Sequence, residues 1–157
     1  MAKRADPIQN SMKCVFPARS INEGFARMAI SAFVAQLDPP VSVLSDLKTA
    51  VSEAVTNCIV HAYRAREDKA ACPIYISAVY TAGGVLRITV KDKGAGIADV
   101  ALARTPLYTT DAEGERSGMG FTVMESFTDK LRVRSAPGKG TVVTMEKHIG
   151  NLRVNRA

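Results

Sequence analysis

The sequence predicts an α+β domain in which helices lie on one face of a mixed, mostly antiparallel sheet. Three observations carry this: two helix-period segments near the start, four period-2 segments paired around glycine turns, and the element order β-α-α-β-β-loop-α-β-β. A chain of 157 residues fits one domain. Its 46% hydrophobic and 23% charged residues are those of an ordinary globular protein, which excludes collagen-like, coiled-coil and disordered classes. We expect a single core domain over residues 12–148, with flexible tails at 1–11 and 149–157.

The elements follow in order. Met12 to Phe16 reads as a short strand, and Ser20-Ile21-Asn22-Glu23 has the S-x-x-E form of a capping box, so a helix starts near Ile21. Phe25, Met28, Ala29, Ala32 and Phe33 form its apolar face, and Asp38-Pro39-Pro40 stops it. A second helix runs from about Val43 to Ala62, with Leu44, Leu47, Val51, Ala54, Val55, Cys58, Ile59 and Ala62 as its stripe. Residues 66–73 read as a loop. Ile74 to Tyr80 and Val85 to Val90 are strands joined at Gly83-Gly84, and Asp92 to Gly96 ends the second of them. Residues 97–117 show no periodicity and read as a loop of lid length. A short helix follows at Gly120 to Phe127. Lys130 to Ser135 and Thr141 to Lys147 form a closing hairpin around Pro137-Gly138-Lys139-Gly140.

Composition also bounds function. The longest apolar runs, Ala32 to Ala35 and Val100 to Ala103, are far short of the ~20 residues that span a bilayer. The basic N-terminus has no apolar stretch behind it and does not read as a secretory signal, so a cytoplasmic location is expected. The net charge is +6, but removing residues 1–12 and 149–157 leaves 17 basic and 14 acidic residues. The remaining cations are scattered along the chain and no aromatic residues interleave with a basic run, so no direct nucleic-acid contact is expected. Cys14, Cys58 and Cys72 suggest neither a disulfide framework nor a zinc pattern.

Four motifs could carry chemistry. Glu53 and Asn57 stand four apart on the polar side of the second helix, where a carboxylate can take a proton and an amide oxygen can face Mg²⁺. Taken alone, the pair reads more simply as a solvated helix face, and His61, one turn on, reads as a structural or capping histidine. Asp92-Lys93-Gly94-Ala95-Gly96 has the form D-x-G-x-G at a strand end, where the Asp can accept from an exocyclic amine such as adenine N6. A glycine turn is the alternative. Arg116-Ser117-Gly118-Met119-Gly120-Phe121 places a cation, a hydroxyl and two glycines before a helix N-terminus, a phosphate cradle. Gly138-Lys139-Gly140-Thr141 repeats the theme, or is a plain β-turn. No P-loop, dinucleotide fingerprint, C-x-x-C or H-E-x-x-H is present.

The ordered set E-x-x-x-N, D-x-G-x-G, long loop and G-x-G before a helix resembles the Bergerat-type ATP-binding fold, the GHKL superfamily of gyrase, Hsp90, histidine kinases and MutL. Phe25-Ala26-Arg27, Ser52-Glu53-Ala54-Val55-Thr56-Asn57, Pro106-Leu107-Tyr108-Thr109-Thr110 and Glu115 to Phe121 further resemble the sporulation anti-sigma F family. The resemblance covers nearly the whole chain. It implies a histidine-kinase-like two-layer sandwich and a homodimeric serine kinase that uses Mg²⁺ and ATP. Such a kinase holds sigma factor F of RNA polymerase inactive and phosphorylates an anti-anti-sigma factor.

Carried over, the resemblance makes Glu53 the general base, Arg116 the contact to the terminal phosphate, Asn57 the Mg²⁺ ligand and Asp92 the adenine-reading carboxylate. Gly94 and Gly96 belong to the nucleotide wall, and Thr109, Thr110 and Ser117 to a lid over about 97–117. Gly118 and Gly120 donate backbone N–H groups to phosphate, with Met119 and Phe121 beside them, and Thr141 supports the adenine site. Glu23 and Arg27 match the partner-binding surface. Cys58, Ala62, Lys93, Ala95 and Tyr108 depart from the family pattern, and none of them removes a proposed catalytic group. The rival readings are a general-stress anti-sigma kinase, a nucleotide-gated binding module without transfer, and a detached histidine-kinase ATP domain.

Overall fold

The structure is a computed structural model, which describes residues 5–107 and 119–150. Its elements are β1 (Ile8–Pro17), α1 (Ile21–Ala35), α2 (Val41–Asn57), β2 (Pro73–Thr81), β3 (Val85–Asp92), α3 (Val100–Ala103), α4 (Gly120–Phe127), β4 (Lys130–Ser135) and β5 (Thr141–His148). The five strands form one sheet in the order β1-β2-β3-β5-β4. The α+β sandwich is as expected, but all four pairings are antiparallel. β4 takes the outer position and its hairpin partner β5 returns between β4 and β3, which leaves no parallel pair.

Strand alternation decides which face is covered. Ile74 and Ile76 of β2, Leu86, Ile88 and Val90 of β3 and Met145 of β5 are buried against Ile30 and Val34 of α1, Val51 and Val55 of α2 and Met124 of α4. Tyr75, Ser77 and Val79 point to the opposite, open face. At about 1.5–3 kcal/mol for each fully buried large aliphatic side chain, this single core holds both layers together. No helix among the described residues is long and apolar enough to cross a membrane.

Several local expectations change. β1 starts at Ile8, four residues early: its exposed polar residues carry no alternation signal, and backbone pairing with β2 defines the strand. Before it, Asp6 accepts from the Thr81 hydroxyl and the Gly83 N–H, which pins residues expected in a tail to the β2–β3 turn. The capping box does not form. Ser20 makes no side-chain cap, and Glu23 instead accepts from the Ser52 hydroxyl. The buried face of α1 is Ala26, Ile30, Phe33 and Val34, and Phe25 and Met28, expected in the core, are exposed. The helix is apolar over more than half its girth, so periodicity alone admits either stripe.

Helix α2 carries its predicted stripe inward but stops as an α-helix at Asn57, and Cys58–Ala62 continue as a π-helical turn. Within 66–73, Lys69–Ala71 form one 3₁₀ turn. The lid segment holds α3, whose N-cap Asp99 accepts from the Leu102 N–H at 2.9 Å. Among the described residues no disulfide forms, Cys58 and Cys72 are buried, and Cys14 is half-buried.

Candidate functional site

A cleft of about 1130 Å³ opens beside the C-terminal end of α2, floored by β3 and β5 and walled by the glycine segment 94–96 and the start of α4. It brings together Glu53, Asn57, Asp92, Gly96, Gly120 and Thr141, from four stretches of sequence. Met119, Phe121 and Gly94 also border it.

Glu53 and Asn57 meet the start of α4. A methyl group on Gly120 would stand 3.3 Å from Glu53 Oε2 and 3.4 Å from Asn57 Oδ1, so this glycine lets the α4 backbone come close to both polar groups. The N-cap residue of α4, Met119, makes no side-chain cap, and the first-turn N–H groups stand at the positive end of the helix. The spacing of four on α2 and Gly120 at the start of α4 are therefore parts of one corner of the cleft.

Asp92 lies at the far end, only 4% exposed. Its Oδ1 accepts from the N–H of Gly94 at 2.9 Å and of Thr141 at 3.2 Å, and Cys58 donates its S–H to Oδ2 over 3.5 Å. Burial raises the Asp92 carboxyl above the usual range, while the bonds from Gly94, Cys58 and Thr141 pull it back. Burial, reinforced by the neighbouring Asp92 charge and hydrogen bond, pushes the Cys58 thiol well up, so Cys58 stays a protonated donor. Thr141 contributes its main-chain N–H here, and its hydroxyl pairs with Ser135 at 2.8 Å.

The glycine segment is fastened from behind. Ala95 donates to the Ala62 carbonyl at 2.8 Å, and Lys93 N–H donates to Tyr63 Oη at 2.7 Å, while that hydroxyl donates to the Pro73 carbonyl at 2.6 Å. A Cβ on Gly94 would fall 2.2 Å from the Ala62 oxygen, and Gly96, at φ +74°, leaves no room beside the Ala136 carbonyl. The close approaches these glycines permit are thus to the π turn and to the β4–β5 turn. Gly94→Ala is expected to push the segment off Ala62 and cost about 1–3 kcal/mol, read as a drop of several degrees in the thermal midpoint. An unchanged midpoint would show that the contact is not tight.

Cys58, Ala62 and Tyr63 were not picked out as parts of the site. Only their position directly after Asn57 hinted at it, because a π turn has no composition signature. His61 borders the same cleft. Thr109, Thr110, Arg116, Ser117 and Gly118 lie outside the described residues. Glu23 and Arg27 stand apart from the cleft on α1, paired at 3.5 Å, with Glu23 also bound by Ser52. Between α1 and α2 a smaller groove of about 380 Å³ is lined by Arg27, Lys48, Ser52 and Glu53, so Glu53 borders both hollows. Among the described residues no group of three or more His, Cys, Asp or Glu could hold a metal ion, so a cation here would rest on the Asn57 amide and on its ligand.

The histidine kinase-like ATPase domain family matches residues 16–147. An anti-sigma F factor of Thermoanaerobacter sp. (strain X514) is 51% identical over 142 residues, 90% of this chain and 96% of that protein. That of Geobacillus thermodenitrificans (strain NG80-2) is 50% identical over 146 residues, 93% of this chain and 97% of that protein. The chain belongs to the anti-sigma F factor family of histidine kinase-like ATPase domains. Among solved structures, the RsbU and RsbW domains of a Mycobacterium tuberculosis protein share the fold at a TM-score of 0.65 and 18% identity, over 90% of this chain and 33% of that one. The histidine kinase domain of an Erythrobacter litoralis blue-light-activated histidine kinase matches at a TM-score of 0.52 and 25% identity, over 70% of this chain and 46% of that one.

Proposed function

We propose that the protein is an anti-sigma factor that binds sporulation sigma factor F and, as an ATP-dependent serine kinase, phosphorylates its anti-anti-sigma factor. The observation that carries this reading is the corner where Glu53, Asn57 and Gly120 meet, across one cleft from Asp92, in a chain half identical to anti-sigma F factors. Asp92 reads the purine amine, Asn57 holds Mg²⁺ through its amide oxygen, and the α4 N–H groups take phosphate. Bound Mg²⁺ screens the phosphate charge. Glu53 accepts the proton of a serine hydroxyl as its oxygen bonds to the terminal phosphorus and the bond to ADP breaks. Its place between the cleft and the α1–α2 groove supports approach of the acceptor from the Arg27 side. Arg116 meets the terminal phosphate, and Thr109, Thr110, Ser117 and Gly118 complete the lid and cradle.

Ile21, Phe25 and Met28, exposed at i, i+4 and i+7 of α1 beside Glu23 and Arg27, support this helix as the surface for sigma and for a homodimer. Both partners place the work in the cytoplasm. Arg27→Ala is expected to weaken sigma binding about tenfold with nucleotide affinity unchanged, measured by titration of each. Equal sigma affinity would remove Arg27 from the interface. The kinase is tested by transfer of labelled γ-phosphate to the anti-anti-sigma protein of the same genome. Acid-stable serine label supports it. No label, with ATP still promoting sigma binding, leaves a nucleotide-gated module, and inhibition of a stress sigma factor instead of sigma F assigns the general-stress branch.

A further inference from the structure

Cations that are scattered along the sequence come together on the open face of the sheet. Alternation turns Lys13 of β1, Arg87 and Lys91 of β3, and Lys130, Arg132 and Arg134 of β4 away from the helices, and all six are exposed. The strand register aligns them. Lys13, Ser77, Thr89, Thr144 and Arg132 stand in one row directly across all five strands, with Lys91 and Arg134 in the row on one side and Arg87 and Lys130 in the row on the other. At ~4.8 Å per strand and ~3.4 Å per residue, the array covers about 19 by 14 Å.

Little negative charge opposes it. Glu146, the carboxylate on this face, is paired with Arg87 at 3.1 Å, and Asp129 at the end of β4 is tied to Lys147 and to the His148 N–H. With Lys93, whose ammonium lies over the Tyr75 ring on the same face, it carries seven cations against one anion among the described residues. Residues 13–148 as a whole have an excess of only three, so the remainder of the domain is net negative.

We propose that this face binds the phosphate backbone of a nucleic acid without reading its bases. The middle row is polar throughout, and cations with hydroxyls are the groups that contact phosphate. The centre of a protein–protein interface is instead apolar and poor in lysine. Tyr75, the ring on this face among the described residues, lies under the ammonium groups of Lys91 and Lys93 at 5.8 and 5.2 Å, so it offers no open platform for stacking bases. Binding is therefore driven by counterion release.

The test titrates the full chain against a fluorescent 24-base-pair duplex of arbitrary sequence at several salt concentrations. If six cations meet phosphates, log K falls with log salt at a slope of about −5, and affinity drops about 10³-fold between 50 and 200 mM. Arg132→Glu with Arg134→Glu is expected to weaken binding at least tenfold and to make the slope shallower by about two. Arg132→Ala with Arg134→Ala changes the slope equally with a smaller loss, and serves if the reversed pair does not fold. Arg19→Glu, outside this face, leaves binding unchanged. No binding at 50 mM salt overturns the proposal, as does a duplex affinity untouched by the β4 variants, the result if the basic tails alone hold it. Tighter binding of poly-glutamate than of the duplex at equal charge and salt would assign the face to an acidic protein and also overturn it.

Discussion

Glu53→Gln is expected to leave nucleotide affinity near that of the wild type and to slow phosphoryl transfer to the anti-anti-sigma serine by 10²–10⁴-fold, the usual contribution of a general base. That is about 3–5 kcal/mol of barrier. The substitution is isosteric, so the 3.3 Å space between Oε2 and the Gly120 position is kept. Glu53 makes no hydrogen bond or ion pair with another described residue, so no structural bond is lost. What changes is that an amide cannot accept the serine proton. Single-turnover transfer at saturating Mg-ATP isolates this step, and a wild-type rate in the variant would take the proton away from Glu53.

Asp92→Asn is expected to weaken nucleotide binding by about 10–150-fold, measured by calorimetry, for the 1.5–3 kcal/mol of one charge-assisted hydrogen bond. The amide must keep its oxygen toward the Gly94 and Thr141 N–H groups, because turning its NH₂ there would set donor against donor. The NH₂ then faces Cys58 and the cleft, where a purine amine also donates. The same geometry predicts a pH dependence. Burial raises the Asp92 carboxyl, and the protonated acid is a poor acceptor, so wild-type affinity falls as pH drops through that raised value, earlier than for an ordinary aspartate. The Asn variant lacks this acid limb. An unchanged dissociation constant, or identical pH profiles, would remove Asp92 from the base site.

Much of this site was legible because its parts are local. Glu53 and Asn57 share a helix side at any tertiary arrangement, and a D-x-G-x-G at a strand end makes its turn from short-range geometry. The S-x-x-E capping box failed for the same reason in reverse. Its Glu23 met Ser52, a partner 29 residues away that no local rule includes. The π turn at Cys58–Ala62 was equally hidden, since it exists where the Ala62 carbonyl must receive Ala95 and lie against Gly94.

The sequence by itself determined the two hydrophobic periods, the turns between them and hence an α+β sandwich with its helix-borne Glu-Asn pair and glycine loop. Only the tertiary structure decided that Asp92 shares a buried bond with Cys58, that Gly120 brings α4 onto Asn57, and that six scattered cations form one basic face. Periodicity is set by the backbone within a few residues. Proximity across tens of residues is set by strand register and core packing, and a one-residue slip in register would turn every one of those cations inward.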